Sequence, residues 1–456
     1  MARDQIDMTP IETRDELVAW LEHGVKPKSE FRIGTEHEKF PFRVDGHDPV
    51  PYVSKRSIRA LLEGMRLLLG WEPIMEGEDI IGLTSVTGTA AITLEPGGQF
   101  ELSGAPVETV HETSSEVHAH LAQLAEVARP LGLGFLGLGM TPKWSRSEIP
   151  MMPKGRYRIM SAYMPKVGQL GLDMMYRTCT VQTNLDFSSE ADMVKKLRVG
   201  LALQPIATAL FANSPFTEGR LNGCLSYRSE IWRHTDPDRT GMLPWAFEPG
   251  MGFERWVDYA LDVPMYFIKR GDRYLDVAGQ SFRALMEGKL PLLPGERATI
   301  SDWANHLTTI FPEVRLKRYL EMRGADAGPR RRIASLPAFW VGLVYDDVSL
   351  EAAWDLVKDW TAEERQKLRD DVPKLALRAQ IRGRSARDVA RVCLDLAHQG
   401  LARRARLDIG GRDEQRHLET LDEIVARGLT PAEDLIEKFK GPWGGSVEPV
   451  FPEESY

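Results

Sequence analysis

Two glutamates, Glu36 and Glu38, are separated by one residue in the stretch 31–40. In a β-strand, residues i and i+2 project from the same face, so these two carboxylates would lie about 7 Å apart on one side of the chain. Like charges at that distance repel each other unless a cation or a proton lies between them. Mg²⁺ prefers such oxygen ligands and often combines one or two carboxylates with a substrate phosphate. The pair predicts either a divalent-cation site or an exposed strand edge with two solvated acids.

A second stretch, residues 93–102, carries two more acids around a Pro-Gly-Gly sequence. Pro96 cannot donate a ladder hydrogen bond, and the glycines permit a sharp bend, so the stretch is typical of a hairpin. Glu95 then lies at the turn, and Gln99 and Glu101 share one face of the second strand. Four acids on two strand-like segments would line one cavity, whereas a surface hairpin with solvated acids is the alternative.

A third stretch, residues 178–187, alternates polar residues at even positions with mostly apolar residues at odd positions. This period of two predicts a strand with one face in a core. Gln182 and Asn184 lie on the polar face, and an amide offers both donors and an acceptor to a ligand. A solvated polar face is the alternative interpretation.

The elements that must position these residues are mixed in type. Residues 143–166 and 213–252 are predicted to be mainly loops, and loops mounted on a sheet commonly carry ligand groups. A helix is predicted over 189–212 with an interruption at Pro205. From residue 346 onward the pattern is helical. A β-rich first two thirds and a helical last third predict an α+β fold.

The composition is that of an ordinary globular protein: 456 residues, 43% apolar and 27% charged, with a net charge of −8. The negative charge argues against non-specific nucleic-acid binding, and no apolar run is long enough to span a membrane. The basic run at 330–332 is best explained as a solvated turn. Residues 1–10 carry Asp4 and Asp7 and have no apolar signal core. These features predict a cytoplasmic protein and are consistent with a bacterial one.

Four motifs together resemble plant-type glutamate–cysteine ligase: Gly-Thr-Glu-His-Glu-Lys-Phe, Leu-Glu-Pro-Gly-Gly-Gln-Phe-Glu-Leu-Ser-Gly, Met-Pro-Lys-Gly-Arg-Tyr and Thr-Val-Gln-Thr-Asn-Leu-Asp-Phe. Segments 213–219, 236–241 and 311–317 extend the resemblance, which runs from about residue 31 to 449–451. The Pro-Gly-Gly-Gln-x-Glu element is also similar to one in glutamine synthetases. The resemblance implies a glutamine-synthetase-like carboxylate–amine ligase fold, with an antiparallel sheet curved around the active site. It implies a single catalytic domain with a sheet-rich core, 1–345, and a mainly helical part, 346–456.

The same resemblance implies the reaction. ATP would phosphorylate the γ-carboxylate of L-glutamate, and the amine of L-cysteine would then displace phosphate to give γ-glutamylcysteine, the first step of glutathione biosynthesis. The expected partners are L-glutamate, L-cysteine and ATP, with no nucleic acid and no membrane, and the expected assembly is a monomer or weak homodimer. Phosphoryl transfer depends mostly on positioning and charge neutralisation, so two or more Mg²⁺ ions are expected.

The resemblance also implies roles for particular residues. Arginine binds carboxylates bidentately, so Arg156 and Arg228 are predicted to hold the α-carboxylate of glutamate and Arg239 to neutralise the transferring phosphate; structural salt bridges are the alternative. The remaining predicted site residues are the metal ligands Glu36, Glu38, Glu95 and Glu101, and the nucleotide or substrate contacts Gln99, Lys154, Tyr157, Gln182 and Asn184.

Two other functions remain open at this stage. One is a related carboxylate–amine ligase with a different amine acceptor, and the other is a catalytically silent relative that binds glutamate or a nucleotide. Four acids favour catalysis, because a binding module has no need of so many metal ligands.

The cysteines bear on regulation. Plant relatives are switched by disulfides, but this chain has only Cys179, Cys224 and Cys393, with no zinc signature. Cys179 and Cys393 are predicted to be buried because they occupy apolar positions of a strand and a helix. Cys224 lies in a turn-like sequence and is predicted to be the accessible thiol. Thiol switching is therefore not expected.

Overall fold

The structure is a computed structural model that describes residues 7–456. Residues 1–6, with Asp4 and most of the N-terminal segment considered above, lie outside the described part. The strands, in chain order, are β1 Ile33–Arg43, β2 Glu72–Glu76, β3 Asp79–Thr84, β4 Ala91–Leu94, β5 Phe100–Ser103, β6 Leu133–Leu136, β7 Thr180–Leu185, β8 Phe216–Thr217, β9 Arg220–Leu221, β10 Thr240–Gly241, β11 Phe267–Arg270, β12 Arg273–Asp276, β13 Phe311–Pro312, β14 Val314–Leu316, β15 Leu320–Asp326, β16 Gln380–Ile381 and β17 Arg384–Ser385.

The helices surround the strands and dominate the last third. In chain order they are α1 Arg14–Glu22, α2 Ile58–Leu69, α3 Val110–Ala128, α4 Gly155–Val167, α5 Gly171–Arg177, α6 Glu190–Leu210, α7 Tyr227–Arg233, α8 Phe253–Asp262, α9 Phe282–Met286, α10 Ile300–Leu307, α11 Arg330–Ile333, α12 Ser335–Val344, α13 Asp347–Val357, α14 Ala362–Leu375, α15 Ala386–Arg404, α16 Glu419–Arg427, α17 Pro431–Lys440 and α18 Val450–Glu453.

One antiparallel sheet organises the molecule. Its strand order is β14-β15-β7-β1-β5-β4-β3-β2, and β6 pairs with the last residues of β1. The strand β1 is central, because it pairs with β5 on one side and β7 on the other. The hairpin predicted around Pro96 is present as β4 and β5. The middle of the sheet is therefore built from the three stretches that carry the predicted acids and amides.

The two faces of the sheet differ because the side-chain period along each strand is two. On one face, apolar side chains such as Ile33, Val181 and Met322 join a large core with α6 and α12. Phe100 and Leu102 join a second core with α2 and α3. The polar positions point to the opposite face, which α4, α5 and α7 border.

The helix α12 explains how the C-terminal helices attach. Every residue from Ser335 to Val344 is buried, as expected for a helix that is apolar on all sides. It packs against β7 on one side and α15 on the other, while α13, α14 and α15 also contact α6. The division at residue 345 into a sheet-rich core and a helical part stays a prediction.

Two segments predicted as loops contain helices that carry site residues. Helix α4 begins within 143–166 and ends one residue beyond it, and Tyr157, Met160 and Met164 form its buried stripe. The stripe was obscured by the prolines, which fall before the helix and in its last turn. Within 213–252, α7 is capped by the hydroxyl of Ser226, which accepts a hydrogen bond from the N–H of Ser229. Both loop predictions were therefore wrong at these positions.

The helix α6 is also more regular than predicted. It continues from Glu190 to Leu210 through Pro205 without a break. Most of its residues are buried, and tertiary packing overrides the local cost of proline. Among residues 7–456, no single helix is long and apolar enough to cross a membrane, although the bent pair Arg330–Val344 and Asp347–Val357, which meet at 88°, reaches the length and composition of a span.

Candidate active site

A row of polar residues crosses the middle of the sheet on one face. Glu38 stands directly opposite Glu101 of β5, and Glu36 stands opposite Gln182 of β7. The row continues on the far side of β7, where Asn184 faces Glu321 of β15. Directly paired residues share a face in an antiparallel sheet, so strand pairing alone brings these groups together.

A single cavity lies over this row. Arg156 of α4 and Arg228 of α7 face the sheet across it, and Arg315 and Arg323 enter from β14 and β15. The other lining residues are Glu36, Glu38, Glu95, Pro96, Gln99, Glu101, Tyr157, Met160, Met174, Met175, Thr178, Thr180, Gln182, Trp232, Thr308 and Phe311. Carboxylates on the floor and guanidinium groups at the edges are the arrangement expected for a polyanionic substrate held together with cations.

The carboxylates of β1, β5 and the hairpin turn are buried close together and repel one another. Burial, together with the charges of Glu95 and Glu101, raises the pKa of Glu38 well above its usual range. Burial and the charges of Glu36 and Glu95 raise the pKa of Glu101 to about 7. Burial also raises the pKa of Glu95, although Lys154 and Arg156 oppose the shift. Three acids that are hard to ionise together predict that a cation would be favoured between them.

Hydrogen bonds hold two of these carboxylates in place. The backbone N–H of Thr180 donates to Glu38 Oε2 over 3.0 Å. The hydroxyls of Thr93 and Ser103 donate to the two oxygens of Glu101. These bonds orient the acids and leave lone pairs of each carboxylate for another ligand.

A second acid centre lies at the β14–β15 edge of the cavity. Glu321 is completely buried between Arg315 Nη2 at 2.5 Å, Arg323 Nη1 at 2.7 Å and Lys317 Nζ at 3.4 Å. Arg315, Lys317 and Arg323 hold the pKa of Glu321 well below its usual range despite the burial. Arg323 also donates to the amide oxygen of Gln182 over 2.8 Å.

Arg156 has unused hydrogen-bonding capacity in the cavity. Its side chain is 4% exposed, and its guanidinium carbon lies 4.8 Å from the centroid of the Phe267 ring. One terminal nitrogen lies 3.4 Å from Thr308 Oγ1, but Nε and Nη1 make no hydrogen bond within the described chain. Buried donors without partners are costly. This guanidinium is therefore a candidate to bind an anionic group of a ligand.

The structure brings together most of the predicted residues, with three qualifications. Gln99 lines the cavity, but its amide is already bonded to the backbone of Gly97, Met175 and Thr178. Asn184 lies behind the lining and donates to Glu36 Oε1 over 2.9 Å. Lys154 is buried beside the ring of Tyr157 and does not line the cavity, whereas Tyr157 does. The hydroxyl of Tyr157 donates to the carbonyl of Leu94.

The position of Arg239 corrects the prediction that it contacts phosphate. It is fully buried away from the cavity lining, and it forms an ion pair with Asp236 at 2.6 Å. Its other nitrogens donate to the carbonyls of Thr309 and Pro264, and its guanidinium stacks 3.7 Å from the centroid of the Tyr266 ring. Each nitrogen of the guanidinium already donates to a group of the fold. A structural role therefore replaces the predicted contact with phosphate.

Four residues of the site were missed from the sequence. Arg315, Arg323 and Trp232 line the cavity, and Glu321 forms ion pairs with both arginines. A signal for two of them exists, because Glu321 and Arg323 show the same i, i+2 spacing as Glu36 and Glu38. Arg315 lies in a segment, 311–317, that was recognised as a motif without a role being given to it.

The residues fit a divalent cation in charge and in chemistry. Among residues 7–456, no three acids, histidines or cysteines are grouped closely enough to form a ready-made metal centre. Mg²⁺ seldom needs such a group, because it keeps several waters and usually takes one or two carboxylates with substrate phosphates. A cation held between Glu38, Glu95 and Glu101 would relieve the burial and repulsion that raise the pKa values of these carboxyl groups.

All three cysteines are free and buried. This confirms the prediction for Cys179 and Cys393. The prediction for Cys224 was wrong, because it is 5% exposed: the adjacent Leu225 N–H bonds to the carbonyl of Pro373, which brings the end of α14 over this turn. Burial raises the pKa of the Cys224 thiol to about 11 and that of Cys393 to about 12.

Comparisons with known proteins match the chain over nearly its whole length. A model of glutamate-cysteine ligase family 2 matches residues 32–453. The chain is 59% identical to a chloroplastic glutamate–cysteine ligase of Arabidopsis thaliana over 444 residues, which are 97% of this chain and 83% of the relative. It is 56% identical to chloroplastic glutamate–cysteine ligase B of Oryza sativa subsp. japonica over 453 residues, 99% of this chain and 89% of the relative.

A solved structure confirms the fold. The glutamate–cysteine ligase of Francisella tularensis in complex with AMP superposes with a TM-score of 0.54 at 12% identity, covering 90% of this chain and 85% of the other. The predicted α+β ligase fold with an antiparallel sheet is thus confirmed. The predicted cytoplasmic location is contradicted, because the relatives named above are chloroplastic.

Proposed function

This chain belongs to glutamate-cysteine ligase family 2, and on that premise we propose that its cavity joins the γ-carboxylate of L-glutamate to the amine of L-cysteine at the expense of ATP. The observation that carries the proposal is the pairing of three mutually repelling carboxylates with an underused arginine in one buried cavity. The products are γ-glutamylcysteine, ADP and phosphate.

The acids are proposed to hold the metal ions. Mg²⁺, when bound, neutralises the triphosphate and the carboxylates, and it polarises the transferring phosphoryl group. Glu38, Glu95 and Glu101 are the ligands whose raised pKa values favour this role. Glu36 is proposed as a further ligand, and its position is held by the amide of Asn184. The number of ions, predicted as two or more, is part of the proposal.

The arginines are proposed to hold the anions of the substrates. Arg156 and Arg228 face the cavity from α4 and α7 and are suited to the α-carboxylate of glutamate. Arg315 and Arg323 enter the cavity from β14 and β15, are held by Glu321, and are suited to the phosphoryl oxygens. Because these cations are already ordered, little reorganisation is needed as charge moves from ATP to the new acyl phosphate.

The chemistry follows from the poor leaving group of a carboxylate. An oxygen of the γ-carboxylate attacks the γ-phosphorus of ATP and ADP leaves, which turns the carboxylate into an acyl phosphate. The amine of cysteine then attacks the acyl carbon, and phosphate leaves. A buried cavity favours this route because it limits the access of water to the acyl phosphate.

The test is ADP release measured with L-glutamate and a panel of amines at saturating Mg·ATP. We expect release that requires both glutamate and an amine, with the highest kcat/KM for L-cysteine. A higher kcat/KM for another amine would identify a related ligase, and no glutamate-dependent release would contradict the proposal. Sedimentation of the same sample tests the predicted monomer or weak homodimer.

A further inference from the structure

A β-bulge interrupts the pairing of β15 with β7 at the edge of the cavity. The register shifts by one residue between Met322 and Ala325. Arg323 and Gly324 therefore stand together opposite the single residue Gln182. An extra residue of this kind bends the strand and changes which face the following side chains point to.

The change of face places two charged residues on the same side of the strand. Arg323 lines the cavity, and Asp326, three residues later, pairs with Thr180 of the polar face. Without the bulge, residues three apart would point to opposite faces, and Asp326 would lie in the hydrophobic core. Its carboxylate instead accepts hydrogen bonds from Ser226 and Ser214, at 2.9 and 2.7 Å.

The carbonyl groups of the bulge are tied to two other elements. The carbonyl of Arg323 accepts a hydrogen bond from Arg228 Nη2 over 3.0 Å. The carbonyl of Gly324 accepts one from the hydroxyl of Thr208 on α6 over 2.9 Å. The bulge thus directs the side chain of Arg323 and also anchors the guanidinium of Arg228.

The bulge also rests closely on α6. A β-carbon at Gly324 would lie 2.4 Å from the amide nitrogen of Gln204. Gln204 is completely buried, and the surrounding core leaves it little room to move. While the Gln204 side chain is in place, a residue with a β-carbon cannot fit at position 324 unless that side chain moves.

We propose that Thr208 and Gly324 are positioning residues for the ligase reaction, which fix the bulge so that Arg323 and Arg228 point into the cavity. Neither residue lines the active-site cavity. The inference rests on the proposed function, because the two arginines face the substrates only in that account. It predicts that changes on α6, beneath the sheet, alter substrate binding without unfolding the protein.

The test compares two substitutions at one position. Thr208→Val keeps the shape but removes the hydroxyl, whereas Thr208→Ser keeps the hydroxyl. We expect Thr208→Val to lower kcat/KM for glutamate about tenfold through a higher KM, because one lost hydrogen bond to a buried carbonyl corresponds to roughly that factor. Thr208→Ser should stay within about twofold of the wild type. Thr113→Val, at a buried threonine of α3 whose hydroxyl has no hydrogen-bond partner among residues 7–456, is the matched control and should be unchanged.

A second pair of variants tests the contact with Gln204. Gly324→Ala should lower the same kcat/KM, and adding Gln204→Ala should restore part of it by removing the atoms that clash. The inference would be overturned if Thr208→Val or Gly324→Ala were as active as the wild type. It would also be overturned if the double variant Gly324→Ala/Gln204→Ala were no more active than Gly324→Ala alone. If Thr208→Val unfolds below the assay temperature, the Gly324 pair decides. Failure of the wild type to release ADP would instead overturn the proposed function.

Discussion

Glu38 of β1 and Glu101 of β5 stand directly opposite each other in the central sheet, and both side chains line the buried cavity. Directly opposed like charges destabilise a sheet. The pair is therefore a local cost to the fold, which the proposed metal-dependent reaction at this site would explain.

The first prediction concerns this pair. Glu38→Gln and Glu101→Gln should each lower turnover at least a hundredfold and raise the Mg²⁺ concentration needed for half-maximal rate, because a metal ligand is lost. Neither variant should be less stable in thermal unfolding without metal, since a repulsion is removed. Glu363→Gln, at an exposed position of α14, is the control. Full activity of both cavity variants at limiting Mg²⁺ would exclude the assignment.

The second prediction concerns pH. The pKa of Glu101 is about 7 in the folded protein, against an ordinary value of 4.5 for a glutamate in the unfolded chain, so the folded protein binds more protons between these values. The contribution of Glu101 to the free energy of unfolding is therefore greatest below about pH 4.5 and is lost as pH rises through 7. Between pH 5 and 8, the unfolding free energy of the metal-free wild type should fall by on the order of 1–3 kcal/mol more than that of the Glu101→Gln variant. Mg²⁺ should raise the melting temperature of the wild type more at pH 8 than at pH 6. A stability difference between the wild type and Glu101→Gln that does not change with pH would contradict the account.

The central strands were predictable because their signal is local. The period of two in residues 31–40 and 178–187 fixes which face Glu36, Glu38 and Gln182 share, and antiparallel pairing then places them together. The partners Glu321 and Arg315 come from strands more than a hundred residues later in the chain, and no local pattern specifies that register.

Two other predictions failed because the type of a residue does not specify what surrounds its side chain in the fold. Arg239 lies in a motif of the family, but only the fold shows that Asp236 and two carbonyls occupy its guanidinium. Cys224 has a turn-like sequence, but α14 covers the turn from elsewhere in the chain. In both cases the deciding contact is non-local, and single-sequence patterns do not contain it.

The third prediction separates a substrate-binding arginine from a structural one. Arg156→Lys should raise the KM for glutamate at least tenfold with little change in melting temperature, because a lysine cannot reproduce a bidentate contact. Arg239→Lys should instead cost about 1–3 kcal/mol of unfolding free energy, since lysine cannot replace the guanidinium hydrogen bonds to the buried carbonyls of Thr309 and Pro264. Steady-state kinetics and thermal unfolding of both variants give the comparison. Equal losses of stability in the two variants would show that the distinction is wrong.

The fourth prediction concerns redox control. Cys179, Cys224 and Cys393 are all buried, and burial raises their pKa values, so the thiolate forms that react are scarce at neutral pH. Activity and apparent mass should be nearly the same after incubation with reduced or oxidised dithiothreitol. A large reversible activation on oxidation that Cys224→Ser or Cys179→Ser abolishes would contradict this.

The proposed function requires that the cavity activate glutamate as an acyl phosphate before the amine attacks. Glutamate labelled with ¹⁸O in its γ-carboxylate tests it directly, because one of the two carboxylate oxygens must leave with the phosphoryl group. Mass spectrometry of the phosphate released with cysteine and Mg·ATP should show one ¹⁸O atom per phosphate. Unlabelled phosphate, formed alongside γ-glutamylcysteine and ADP, would contradict the account.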